Sequence, residues 1–204
     1  MDELDIASEV VVNLQKLLID NDVFLTSTVA IFESSVPQRA FADKRSLRAM
    51  SPYLIQRYEE RRAANDEVMG DSTRVNRFKR IMAFERQFVE LGGLMGSGVD
   101  PGRHNLPGYG DQRNFELFLE AGFSTQEAIQ IMTVNGAKIL GKENIGSIEV
   151  GKRADLVVLE GDLLSDPSVI KQVEWVFKNG IGYDSQRIIE DTHGMVGVPL
   201  SRVD

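Results

Sequence analysis

Apolar residues recur every three or four positions over 3–20. Leu4, Ala7, Val11, Leu14, Leu17 and Leu18 are separated by Asp, Glu, Asn and Lys, which predicts an amphipathic helix. Asn21-Asp22 ends the pattern. The following ten residues, Val23 to Phe32, form a nearly unbroken β-branched and aromatic run, which predicts a strand covered on both faces. A helix, a short turn and a buried strand make up the repeating half of a parallel α/β architecture. From Glu33 to about Gly70 the chain turns polar, with Pro37 and Pro52 as punctuation and a helix expected over 53–62. This insertion is long for a plain connection, and a surface elaboration is expected rather than a lid.

Ser72 or Thr73 can cap the next helix, which carries Phe78, Ile81, Met82, Phe84, Phe88 and Val89 and stops at Gly92-Gly93. A short strand is expected over 94–99, where the glycines allow close backbone approach. Asp111 is expected to cap a helix holding Phe115, Leu117, Phe118 and Leu119, closed by Gly122. Ser124 with Glu127 three residues later is a capping box, and the helix it opens runs through Ala137 and Leu140 to Gly141.

Beyond residue 145 the pattern changes. The 145–155 stretch is turn-rich, Leu156-Val157-Val158-Leu159 reads as a short strand, and 173–178 alternates as a half-buried strand does. Asn179-Gly180 is the favoured type I′ hairpin turn. The expected organisation is an α/β part over 1–144 with an insertion at about 33–70, an antiparallel β unit over 145–185, and a tail over 186–204. The end of that tail, from His193 on, has too few apolar residues to place and reads as a disordered or strand-exchanging terminus.

Composition narrows the function classes. The chain has 204 residues, and its formal charge of -8 argues against a nucleic-acid partner, which needs a clustered basic face. Its richest basic stretch, Arg57 to Arg62, is broken by Glu59 and Glu60 and reads as a solvated helix face. There are no cysteines, so disulfides and thiolate zinc sites are excluded. The acidic start, and the lack of any apolar run near ~18 residues, give no signal peptide and no membrane span. A cytoplasmic protein with no membrane partner is the expectation.

Candidate chemistry gathers on one loop. The strand over 94–99 delivers Asp100, and a glycine- and proline-rich segment then holds Arg103 and His104. In parallel α/β proteins, a carboxylate where a strand gives way to a long loop is where active sites are built. Asp-Pro-Gly is also good turn chemistry anywhere, and taken locally that is the simpler reading.

Four further stretches alter that balance. They are Gly98-Val99-Asp100-Pro101; Leu106-Pro107-Gly108-Tyr109-Gly110-Asp111; Thr133-Val134-Asn135-Gly136-Ala137-Lys138-Ile139-Leu140-Gly141; and the run from Gly146-Ser147-Ile148 through Gly151-Lys152-Arg153-Ala154-Asp155 to Leu159. Together they resemble the metal-dependent amidohydrolase superfamily, in particular its imidazolonepropionase-like and prolidase-like members. Val99 departs from the usual Gly-Thr-Asp by losing a hydroxyl, and Asp22–Thr28 resembles the strand before it.

The resemblance implies the C-terminal part of a (β/α)8 barrel plus part of a small β-sandwich domain. A whole barrel takes about 250 residues, and about two of its strands are expected here. It further implies a divalent metal, typically zinc, that activates water, with Asp100 as metal ligand and general base. Arg103 and His104 become candidate substrate contacts, and the substrate class is a small amide, dipeptide or cyclic amide.

Such enzymes also use a His-x-His pair and further histidines from earlier strands, whereas this chain has only His104 and His193. The chain is therefore expected to be a C-terminal portion of a longer enzyme, inactive by itself and without stoichiometric metal, since catalytic zinc takes about three protein ligands. The exposed edges of a barrel fragment predict a homo-oligomer or a missing N-terminal part. A non-catalytic amidohydrolase-like scaffold is the alternative.

Overall fold

The computed structural model describes residues 5–39, 42–68, 72–102 and 104–197. Its elements in chain order begin with α1 (Glu9–Asp20), β1 (Leu25–Ser27), α2 (Val29–Glu33), α3 (Lys44–Ala49), α4 (Pro52–Asp66) and α5 (Ser72–Glu90). They continue with β2 (Met95–Ser97), α6 (Tyr109–Glu120), α7 (Thr125–Gln130), a π-helical turn (Ile131–Asn135) and α8 (Gly136–Ile139). The last third holds β3 (Leu156–Leu159), a 3-10 turn (Pro167–Lys171), β4 (Val173–Lys178), β5 (Ile181–Asp184) and α9 (Ser185–Asp191).

β1 and β2 pair in parallel, with Leu25 opposite Met95, Thr26 opposite Gly96 and Ser27 opposite Ser97. The intervening chain supplies helices, as a parallel crossover requires. Phe78, Met82, Phe115, Leu117, Phe118 and Phe123 are buried around this pair, together with Met95 and Ile131. Full burial of one such side chain contributes about 1.5–3 kcal/mol, so this cluster is the principal source of apolar stabilisation.

The strand expected over 23–32 is much shorter. Only Leu25–Ser27 is extended, and Val29–Glu33 is the helix α2. β-propensity yields to tertiary contacts here. Val29, Ala30 and Ile31 are buried, and the Asn114 side-chain oxygen accepts from the Ala30 N–H at 2.8 Å. The helix after the loop also starts differently from the expectation. Gly108 occupies its N-cap with φ 79°, and Asp111 lies in the first turn, its carboxylate accepting from the Gly108 N–H at 2.9 Å.

The Ser124–Glu127 capping box forms as expected. The helix it opens does not run evenly to Gly141, because the π-helical turn widens it at Ile131–Asn135. Asn135 there donates to the Met95 carbonyl at 2.9 Å and ties the turn to β2.

The antiparallel sheet has the order β3-β4-β5, and Asn179 (φ 52°) and Gly180 (φ 80°) make its hairpin turn. Of the tail expected to be unplaced from His193 on, residues 194–197 are placed. The Gly194 N–H donates to Arg48, the Val196 N–H to Ala49, and Ser51 Oγ to Gly197, so residues 194–197 lie against the end of α3. Residues 198–204 lie outside the described residues. No helix among the described residues is long and apolar enough to cross a membrane.

The insertion folds as α3 and α4 around its own small cluster of Ala42, Ala49, Met50, Tyr58 and Leu106. Leu106 belongs to the loop that follows β2, so the insertion packs directly against that loop.

Candidate functional site

The loop begins where the parallel ladder stops. The Gly98 N–H still donates to Ser27 at 2.9 Å, but among the described residues the carbonyls of Gly98 and Val99 have no strand partner. Two buried asparagines take them. Asn114 Nδ2 donates to Gly98 O at 2.8 Å and Asn105 Nδ2 to Val99 O at 2.6 Å. The next residue is Asp100, left-handed at φ 45° and exposed. Among the described residues no hydrogen bond or ion pair reaches its carboxylate. Arg103, the second candidate, lies outside the described residues. His104 is half-buried at φ 72°, with its ring edge-on to Tyr58 of α4 at 5.8 Å.

A cleft of about 480 Å³ lies beyond this loop, between the insertion, α6 and the 3-10 turn. His104, Asn105 and Tyr109 line it, whereas Asp100 does not. The structure therefore separates the two described candidates: His104 faces the cleft, and Asp100 stands on the open surface at the end of the sheet. His193 is exposed on the tail.

The cleft is built on a buried charge cluster. Glu33 is fully buried, and Arg113 grips it with two contacts of 2.7 Å while Arg39 adds a third at 2.7 Å. Hydrogen bonding to Glu33 raises the Arg113 pKa above the usual arginine range against the opposing effect of burial. Burial disfavours the Glu116 anion, but hydrogen bonds from Lys171 and Arg113 outweigh it and hold the carboxyl below its ordinary value. Arg39 reaches on to Glu120 through two contacts. This network locks α2, α6 and the 3-10 turn together.

A second cleft, of about 250 Å³, opens between α1, β1 and α5 and is lined mainly by apolar groups such as Val11, Leu14, Leu25 and Phe84. Glu85 sits in its wall and accepts from Ser27 Oγ at 2.9 Å. Burial pushes this carboxyl up to about 7, and the serine hydrogen bond only partly offsets that.

Among the described residues no group of three or more His, Asp or Glu side chains is gathered closely enough to hold a metal ion. Asp100 is a single donor, and zinc takes about three protein ligands. The residues present do not fit a complete metal centre, and no metal-dependent step is assigned to this chain by itself.

The sequence pattern did not single out Asn105, Asn114, Glu33 or Arg113. The one available signal was that Glu33 directly follows the apolar run Val29–Phe32; Asn114, after Gln112 and Arg113, left none.

The amidohydrolase family model matches residues 92–181. An imidazolonepropionase of Clostridium tetani is 35% identical over 111 residues, covering 50% of this chain and 26% of that protein. An adenine deaminase of Methanothrix thermoacetophila is 32% identical over 87 residues, covering 41% of this chain and 15% of that protein. The chain thus spans about a quarter or less of these curated relatives.

A crystal structure of a prolidase complexed with N-methylphosphonate-L-proline superposes with a TM-score of 0.58 at 20% identity, covering 85% of this chain and 38% of that one. A Xaa-Pro dipeptidase superposes with a TM-score of 0.55 at 22% identity, covering 84% and 37%. These two structures bear on the fold alone.

Proposed function

We propose a hydrolase of carbon–nitrogen bonds, on a plain premise: the chain belongs to the amidohydrolase superfamily. In this reading the chain carries the last two strand–helix units of a (β/α)8 barrel, and β1 and β2 are neighbouring barrel strands. The observation that carries it is the position of Asp100. The residue leaves the C-terminal end of a parallel strand inside the matched segment, and barrel active sites are assembled at that end.

Asp100 is then the carboxylate this chain contributes to a divalent-metal centre, with the remaining donors supplied by other barrel strands. A carboxylate suits the part because it can ligate with one oxygen and accept a proton with the other. Arg103 and His104 on the same loop are assigned to substrate contact, His104 from the neighbouring cleft it lines. Small amides, dipeptides and cyclic amides are the substrate class. The chain alone is inactive and binds no stoichiometric zinc, which metal analysis after dialysis and an assay on dipeptides and N-acyl amino acids test directly. Bound zinc with activity would overturn this part of the reading.

The domain division into 1–144, 145–185 and 186–204 belongs to the same proposal, with β3-β4-β5 as part of a β-sandwich. Its support is an antiparallel sheet that is apolar on both faces. Val157, Val176 and Tyr183 share one face, and Val158 and Trp175 share the other. On α1, Val10, Leu14 and Leu17 are exposed, and β1 pairs on one edge only among the described residues. Such surface calls for a covering partner, either the rest of a barrel or a second copy of the chain.

A further inference from the structure

Once β2 has ended, something other than a sheet must fix the direction of the backbone. Gly98 and Val99 present two consecutive carbonyls at that point, and each is taken by the side-chain amide of a buried asparagine. Asn114 is fully buried in α6 and acts at two junctions at once. Its Nδ2 donates to Gly98 O and lies 3.2 Å from Ser97 Oγ, while its Oδ1 accepts from the Ala30 N–H at the start of α2. One side chain thereby ties the end of β2 to the helix that follows β1.

Asn105 closes the loop from the other side. Its N–H donates to Gly102 O at 2.8 Å, and its side-chain amide reaches Val99 O. Asp100, between these anchors, takes φ 45°, a conformation that non-glycine residues adopt at a cost unless their surroundings impose it.

We propose that Asn105 and Asn114 are positioning residues for Asp100, holding its backbone left-handed so that the carboxylate projects from the strand end. The inference rests on the reading of Asp100 as the reactive carboxylate, but its geometric content can be tested without activity. Gly110 provides an independent lever. A methyl group there would collide with Asn105 Oδ1 and Val99 Cγ2, so the Asn105 amide must move in Gly110→Ala even though alanine favours the helix.

The experiment is solution NMR on the isotopically labelled full chain. It reads the backbone HN–Hα coupling and the Cα and Cβ shifts of Asp100 in wild type and in Asn105→Ala, Asn105→Asp, Gly110→Ala and Asn114→Ala. The expected result is loss of the left-handed signature at Asp100 in each folded variant, with the resonances of α1 and α9 unmoved. Asn105→Asp is informative because it preserves shape while replacing the donor with an anionic oxygen that repels the Val99 carbonyl.

A purely structural role would lower the thermal midpoint and leave the Asp100 signature in place, and that result overturns the proposal. Should Asn114→Ala not fold, the Asn105 and Gly110 variants decide it. If Asp100 proves dispensable for hydrolysis in a complete enzyme, the functional reading fails while the conformational result stands, so the two failures are distinguishable.

Discussion

Glu85 makes the stability of this protein fall as pH rises through mildly acidic values. Its carboxyl has an ordinary pKa of 4.5, is pushed up to about 7 in the fold by burial, and keeps one hydrogen bond, from Ser27 Oγ. Between these values the unfolded chain ionises while the folded one holds its proton, so the folded state binds more protons and stability declines with pH. Below about 4.5 the group contributes no penalty, and above about 7 the penalty is full. At 1.36 kcal/mol per pKa unit it amounts to about 3 kcal/mol.

Glu85→Gln removes the titration and retains the possibility of a hydrogen bond to Ser27. The variant should therefore gain stability relative to wild type as pH rises, by about 3 kcal/mol between about pH 4.5 and about pH 8. Urea titrations followed by far-ultraviolet circular dichroism at several pH values measure this difference. Comparing the two proteins cancels the carboxylates held below their ordinary values, such as Asp43 and Glu116, which lose their stabilising effect only as pH falls. Parallel stability–pH curves for wild type and Glu85→Gln would refute the reasoning.

Further predictions concern the cleft, the helix packing and the open surfaces. Glu33→Gln leaves two guanidiniums without their shared buried anion and should cost about 3 kcal/mol or more in urea titrations, as breaking a buried ion pair does; a change within ~0.5 kcal/mol would contradict it. Gly146 has φ 86°, and a methyl group there would lie 2.7 Å from Ala137 Cβ and 3.1 Å from Thr133 O, so Gly146→Ala should destabilise by about 2–3 kcal/mol in the same assay. Light scattering on the purified chain should give a mass above the 22.8 kDa of one copy, and a clean monomer would count against the covered-surface argument.

Legibility from sequence followed the range of the interactions. Helices α1, α4 and α5, the Ser124–Glu127 capping box and the Asn179-Gly180 hairpin depend on local periodicity and local hydrogen bonds, and all could be placed from the residues alone. β1 was overestimated because the conformation of Val29–Ile31 is decided by contacts with α5 and α6, far along the chain. The hydrogen bond from Ala30 to Asn114 spans 84 positions and the Arg113–Glu33 pair spans 80, so neither leaves a local trace. Asp100 was visible because a strand end, a carboxylate and a glycine-rich loop are contiguous. The separation of His104 into a neighbouring cleft was not, because Tyr58 and the insertion draw it there.

The role of Asp100 is tested most directly by co-expressing this chain with a barrel half that carries a His-x-His pair, and measuring bound zinc and carbon–nitrogen hydrolysis with and without Asp100→Asn. The account predicts that the assembled protein binds zinc and hydrolyses amides, and that Asp100→Asn abolishes hydrolysis and weakens zinc retention. Equal zinc content and equal activity in the two assemblies would contradict it.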